Sequence, residues 1–297
     1  MQILKTVILF TGILFAPLSA LADTLLIVQS VRDRAGIELR KSITRTVPVR
    51  AELVILSDYA EVDLPRMVRE EQPDVILTIG ESALKAARRI RGVPVVAVMS
   101  LSLGEKRNGQ ANITGIDIRI DPGRYLAIFK SLGLKRIGVE YDPAKSGVYL
   151  AKAQHAAALT GIELALRPVR EPQEAAQKLG SLKGNASDAL WLLPDSTVVT
   201  SLNLEATFNF SLNEKKPVIS YSGEHLKKGA AVALNPGWSA MGLQAGDMVR
   251  RILGGAPLRE IPLQSPRNFS LGINENVLKL LDIPSSRLDK LFPKPQR

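Results

Sequence analysis

The chain of 297 residues has no cysteine, only two histidines, and 5% aromatic residues. Without thiols there are no disulfides, no cysteine nucleophile and no lipid-anchored cysteine. His155 and His225 stand alone, with no cysteine or paired-carboxylate spacing beside them, so no structural metal site is expected. Neither a Gly-x-Gly-x-x-Gly nor a Walker-type loop occurs, which removes the usual signatures of dinucleotide and ATP binding, and no cofactor is expected. Gly80-Glu81-Ser82 opens like a nucleophile elbow, but Leu84 stands where the second glycine belongs and neither histidine is placed as a base. An enzyme is therefore not expected, and a periplasmic hydrolase is an alternative that the residues do not favour. Dense basic runs are missing too. The formal net charge is +10, yet the positive residues are scattered, at Arg32, Arg34, Arg40, Lys41 and Arg45 and again at Arg88, Arg89 and Arg91. With few aromatics between them to stack on bases, no nucleic-acid partner is expected.

One long apolar run is present, from Val7 to Leu18, preceded by Lys5 and followed by the small-residue site Ala20-Leu21-Ala22. It falls short of the roughly 20 residues that cross a bilayer and has the layout of an export signal cleaved after Ala22. The processed chain would start at Asp23 and reside, untethered, in a periplasm. Its length exceeds one ordinary core and predicts two lobes.

Runs of Val, Ile and Leu alternate with helix-period segments almost to the end, the pattern of an α/β protein with parallel sheets. Strands are predicted at Thr24 to Gln29, Glu52 to Leu56, Val75 to Ile79, Val95 to Met99, Ile137 to Tyr141, Glu163 to Leu166, Ala189 to Leu193 and Pro217 to Ser220. The most informative stretch is Ala189 to Gly255. There an apolar strand twice stops at a polar loop, first at Pro194-Asp195-Ser196-Thr197 and then at Tyr221-Ser222-Gly223-Glu224. In parallel α/β sheets this carboxyl edge is where ligands bind. Asp195, Ser196 and Thr197 are also residue types that cap a following helix. Tyr141 ends a strand and is a candidate for stacking on a ligand. Ser239 to Leu253 predicts an amphipathic helix with Met241, Ala245, Met248, Val249 and Ile252 inward, Gln244, Asp247, Arg250 and Arg251 outward, and Gly254-Gly255 as its stop. Asp121-Pro122 starts another helix that buries Tyr125, Leu126 and Phe129. Trp191 is expected in the core and Trp238 either at a hinge or at the ligand.

Several motifs in order, from Pro73 to Ile283, resemble the periplasmic substrate-binding proteins of ABC transporters, in the subfamily that includes tryptophan- and tyrosine-type binders. They are Asn112-Ile113-Thr114-Gly115, Arg136-Ile137-Gly138-Val139, Leu193-Pro194-Asp195-Ser196-Thr197-Val198-Val199, Lys228-Gly229-Ala230, and the Gly242 to Gly255 helix leading into Ile261-Pro262. The resemblance implies a type I periplasmic-binding-protein fold, two Rossmann-like α/β lobes with parallel sheets joined by a multi-strand hinge. The lobes are expected at 23–118 plus 236–264 and at 119–235 plus 265–290, with a tail at 291–297. Carried over by motif, Asp195, Ser196 and Thr197 would face a ligand from the second lobe. Glu81, Ser82 and Ser100 would face it from the first, with Tyr221 and Ser222 at another cleft edge. Ser30 and Asn235, at further strand ends, complete the candidate ligand set. The chain departs from the family in carrying Glu81 where Thr is frequent and Ser222 where an acidic residue is common. An amino-acid ligand would need an anion for its ammonium group, from Glu81, Asp195 or Glu224, and donors for its carboxylate, from helix N-termini at Ser82 or Ser196. The partners implied are a small polar or amphipathic molecule and either an ABC permease or a membrane sensor, with the protein itself a monomer.

Overall fold

The computed structural model describes residues 23–104, 111–289 and 291. The expected export signal, 1–22, and the expected tail, 291–297, apart from Leu291, lie outside those residues. β1 (Thr24–Gln29), α1 (Arg34–Thr46), β2 (Arg50–Ile55), α2 (Leu64–Glu71), β3 (Val75–Ile79), α3 (Glu81–Ala87), β4 (Val95–Val98) and β5 (Ile113–Gly115) form the first unit. Its five strands are all parallel, in the order β2-β1-β3-β4-β5. β3 and β4 are covered on both faces, so they carry unbroken apolar runs in place of an alternation.

The chain then builds α4 (Pro122–Leu132), β6 (Arg136–Tyr141), α5 (Pro143–Ala158), β7 (Glu163–Pro168), α6 (Pro172–Leu179), β8 (Ala189–Leu192), α7 (Ser201–Asn213), β9 (Val218–Ser220) and β10 (Val232–Pro236). α8 (Trp238–Leu253) returns to the first unit, and β11 (Phe269–Ile273) and α9 (Glu275–Leu280) close the second. The second sheet runs β11-β10-β9-β8-β6-β7, parallel except for β11. That one reversal follows from the path: β10 runs toward the first unit and β11 comes back from it, so the two neighbours must be antiparallel. Side-chain oxygens of Asp33, Asp63, Asp121, Asp142, Thr200 and Asn274 accept from backbone N–H groups in the first turns of α1, α2, α4, α5, α7 and α9. Pro122 and Pro143 occupy first helical positions, where no N–H is needed.

Four apolar clusters sandwich the two sheets. One packs α1 and α8 on the first sheet and another packs α2 and α3 on its other face. α4 and α5 cover one face of the second sheet, and α6 and α7 the other. Trp191 is buried as expected, with the rings of Tyr125, Phe129 and Tyr149 at 4.9, 5.6 and 5.9 Å between centroids. Among the described residues no helix is long and apolar enough to cross a membrane.

The predicted α8 forms, but Gln244 is buried, not turned to solvent. Its amide nitrogen donates to Gln264 Oε1 (2.8 Å) and the Ser265 carbonyl (3.1 Å), and its oxygen accepts from Arg267 N (3.2 Å). These bonds hold the extended segment 264–267, which recrosses between the units as a strand-like stretch with one isolated bridge, Ile116 to Gln264. That segment also bonds to the first crossing, Asp117 N to Gln264 O at 2.8 Å and Gln264 N to Gly115 O at 3.0 Å. Tight contact of α8 with α1 depends on small residues. A Cβ on Gly242 would lie 2.4 Å from Leu39 O, and one on Gly246 2.7 Å from Thr46 Cβ.

Gly242→Ala is therefore expected to cost about 1–3 kcal/mol in urea unfolding, because a backbone carbonyl cannot yield as a side-chain tip does; an unchanged midpoint would show that α1 and α8 can separate freely. Glu140, on β6 beneath α6, is buried, and among the described residues its Oε1 has no partner. Burial pushes its carboxyl up to about 8, against the pull of Lys178 and Arg167. The folded state keeps this proton through a range where the unfolded chain, ordinary value 4.5, has lost it. Its contribution to stability is therefore full below about pH 4.5 and declines as pH rises toward 8. Glu140→Gln should flatten that decline in unfolding free energy measured across the window, and an identical slope in the variant would assign it elsewhere.

Candidate functional site

In a parallel sheet the crevice lies where strand order reverses, outside the carboxyl ends of the two strands that flank the reversal. In the first sheet this falls between β1 and β3, at Ser30 and Gly80; in the second it falls between β6 and β8, at Tyr141 and the loop 193–200. Ser30, Glu81, Ser82, Tyr141, Asp195, Ser196 and Thr197 lie at these two points; Ser100 follows the adjoining β4, Tyr221 and Ser222 follow the adjoining β9, and Asn235 is on β10, one strand further.

On the first wall, Gly80 has φ +94°, and a Cβ there would lie 2.6 Å from Ser30 Oγ, so glycine is required for the two strand ends to meet. Ser30 Oγ accepts from Ala83 N at 2.9 Å and so holds the start of α3. Glu81 turns toward the loop after β4. It accepts from Ser100 Oγ (2.6 Å), Leu101 N (3.0 Å), Ser102 N (3.2 Å) and Ser102 Oγ. Partial burial alone would raise this carboxyl, but those hydrogen bonds outweigh it and hold the group below its ordinary value. Ser100 is fully buried, and Ser82 is exposed in the first turn of α3.

On the second wall, Asp195 is buried and its carboxylate is engaged within the chain. Oδ2 accepts from Asp142 N (2.9 Å) and Ser146 Oγ (2.6 Å), and Oδ1 accepts from Thr197 N (3.0 Å). The sequence expectation that this trio caps the next helix is corrected: α7 starts at Ser201 and Thr200 caps it, so Ser196 is not at a helix N-terminus. The loop 194–199 instead closes as a turn, with Val198 N and Val199 N bonded to Asp195 O. Thr197 is buried too, while Ser196 is exposed. Lys145 Nζ donates to Ser196 Oγ and Thr197 Oγ1, each at 2.7 Å, and Thr197 Oγ1 donates to Asp142 Oδ2 at 2.8 Å. Tyr141 is half-buried against the α4 and α5 core.

Tyr221 stands edge-on to the ring of His225 at 5.2 Å, and burial pushes its hydroxyl up to about 12. His225 is bonded to Ser220 Oγ at 2.6 Å through Nδ1; burial, helped by Lys228, pulls it down to about 4, so it is a neutral anchor for the 223–228 turn. Asn235 Oδ1 accepts from Gly223 N and ties that turn to β10.

Ser222 and Asn235 line a cavity of about 420 Å³ whose other lining residues are Arg34, Ala35 and Glu38 of α1, Gly223, Glu224 and Trp238. Both units therefore contribute walls, and Trp238 sits where the chain crosses between them. Among the described residues, neither Arg34 nor Glu38 has an ion pair within 4.0 Å, and Glu224 has only a long one to Lys227 at 3.8 Å. The structure brings Ser222, Asn235, Glu224 and Trp238 to this cavity, while Glu81, at the surface, and Asp195, buried, are bonded within their own walls. Sequence reasoning missed Arg34 and Glu38. The strand-loop-helix logic that singled out Asp195 also applies at β1, where the chain passes from Ser30 directly into α1.

A model of the family described as ABC transporter substrate binding protein matches residues 59–289. The chain is 26% identical over 203 residues to the tyrosine-binding protein of Clostridioides difficile strain R20291; the match covers 67% of this chain and 57% of that relative's length. Two solved structures share the fold. One is the ligand-free, open form of a substrate-binding protein with adhesive properties from Clostridium difficile, with TM-score 0.65, 20% identity, and 89% of this chain and 96% of that one covered. The other is a domain from Streptococcus pneumonia in complex with L-Trp, with TM-score 0.63, 18% identity, and 90% and 98% covered. The two-lobed α/β architecture is the type I periplasmic-binding-protein fold.

Removing the Asp195 carboxylate leaves three buried donors without their acceptor. Asp195→Ala is expected to lower unfolding free energy by about 2–4 kcal/mol, since each stranded donor costs roughly 1–3 kcal/mol and relaxation recovers part. Unaltered thermal and urea midpoints would mean that the loop does not depend on it.

Proposed function

The chain belongs to the ABC transporter substrate-binding protein family, and from that membership we propose that it captures a small amphipathic, amino-acid-like solute between its lobes for an ABC-type import system. The observation that carries this reading is the cavity of about 420 Å³ walled by α1 of one lobe and by the β9 and β10 ends of the other. Its equipment suits a zwitterion. Arg34 offers a cation for a carboxylate, Glu38 and Glu224 offer anions for an ammonium group, and Trp238 offers an apolar face. The relative that binds tyrosine and the fold neighbour solved with L-Trp support the same ligand class.

Capture of this kind needs no covalent chemistry. A solute held by both walls stabilises the arrangement that brings them together, because it gains contacts there that it lacks when the walls are apart. The crossings at 116–121, 236–238 and 264–269 are the hinge in this reading, and the closed form is what a membrane permease would recognise. In this reading the apolar run in the first 22 residues would serve as an export signal that delivers the protein to the periplasm.

A thermal-shift screen of the purified chain against amino acids, aromatic acids, sugars, nucleosides and short peptides tests the proposal. A concentration-dependent rise in Tm is expected for an apolar or aromatic amino acid, since a ligand of the native state stabilises it by mass action. Arg34→Ala and Glu224→Ala should each weaken that ligand by about 1.5–3 kcal/mol, roughly tenfold or more, at unchanged ligand-free stability. No shift with any class, after unfolding and refolding to strip bound ligand, would sink solute capture. A shift that both substitutions leave untouched would move the ligand out of this cavity.

A further inference from the structure

We propose that Arg119 is a positioning residue that sets the angle between the lobes, by holding a backbone carbonyl of each on one guanidinium. This rests on the reading that the lobes move about a hinge. Arg119 lies in the first crossing and is almost completely buried, with 3% of its surface exposed. Nη1 donates to Leu101 O at 3.1 Å, in the loop that follows β4 of the first lobe; Nη2 donates to Lys145 O at 3.2 Å, in α5 of the second. The carboxylate of Asp117, in the crossing itself, accepts from Nη1 at 3.2 Å through either oxygen and from Arg119 N at 3.1 Å. Among the described residues Nε has no hydrogen-bond partner. A buried charge is tolerated only when paired and hydrogen-bonded, so separating either carbonyl from this guanidinium strands a donor or an acceptor away from water.

Both carbonyls belong to segments that carry cleft residues. Leu101 N is held by Glu81, so the loop is fixed from α3 on one side and from Arg119 on the other. Lys145, whose carbonyl Arg119 takes, uses its ammonium group on Ser196 and Thr197. Leu101, Arg119 and Lys145 thus link the first-lobe wall to the second residue by residue, and the guanidinium is the crossing point. The planar fork matters: its two arms reach carbonyls in different directions at once, which the single ammonium point of lysine does not reproduce.

The chain has no cysteine, so a pair of spin labels can be placed without background, at Lys85→Cys on exposed α3 and Gln173→Cys on exposed α6. The inter-label distance distribution is read by pulsed EPR in ligand-free protein, which makes the outcome independent of whether any solute binds. Arg119→Lys is expected to broaden the distribution and add a displaced population, while Ile128→Val, a core change in the second lobe, leaves it as in the parent. Should Arg119→Lys fail to fold, Asp117→Asn keeps the guanidinium, removes its carboxylate and is expected to broaden the distribution less. A folded Arg119→Lys protein, or failing that a folded Asp117→Asn protein, with the parent's distribution would overturn the proposal. So would equal broadening by Ile128→Val.

Discussion

A chain that passes three times between two sheets must pair the backbone groups of each passage, since a buried N–H or C=O without a partner costs as much as a lost hydrogen bond. The rest of this molecule is arranged around that requirement. The first and third passages pair with each other at Asp117 and Gln264. The second continues as α8, and Gln244 reaches from it to the backbone of the third. Arg119 completes the set by taking a carbonyl from each lobe. Side-chain amides and a guanidinium at the crossings thus do the work that ladder bonds do inside the sheets.

Most of the fold was legible because strands buried on both faces advertise themselves. Runs such as Val75–Ile79 and Ala189–Leu192 have no polar face to confuse the period, and their ends are marked by glycine, proline or aspartate. The start of α4 was equally readable from Asp121-Pro122, because capping and proline chemistry are local. What escaped is non-local. Gln244 sits on the polar side of the α8 pattern, and nothing within the helix says that a recrossing segment will cover it. The antiparallel β11 likewise follows from the route of the chain, not from its own residues.

Which residues stand at strand ends was legible; how each of their side chains is bonded was not. The expectation that chemistry collects at strand ends put Ser30, Glu81 and Asp195 at two switch points, and Ser222 and Asn235 on the neighbouring strand ends of β9 and β10. It did not separate carboxylates that organise the walls from carboxylates that remain available. Sequence offers no direct measure of that difference, because it depends on how many donors from other segments converge on the group. Glu81 receives donors from three residues and Asp195 from three.

That division of labour has a consequence for how such a cleft can change its ligand. Anchoring carboxylates are tied into loops whose shape every other wall residue shares, so their replacement disturbs the wall before it alters selectivity. Arg34, Glu38 and Glu224 stand on exposed turns of α1 and of the 223–228 segment and carry no comparable network. Their charges can be exchanged with little cost to the loops behind them, since surface substitutions away from such networks usually move stability by only about 0.5 kcal/mol. A wall of this design keeps its geometry constant in the anchors and its chemistry adjustable at the rim, which in the proposed function would let one two-lobed scaffold serve solutes of differing charge without rebuilding the crossings between its lobes.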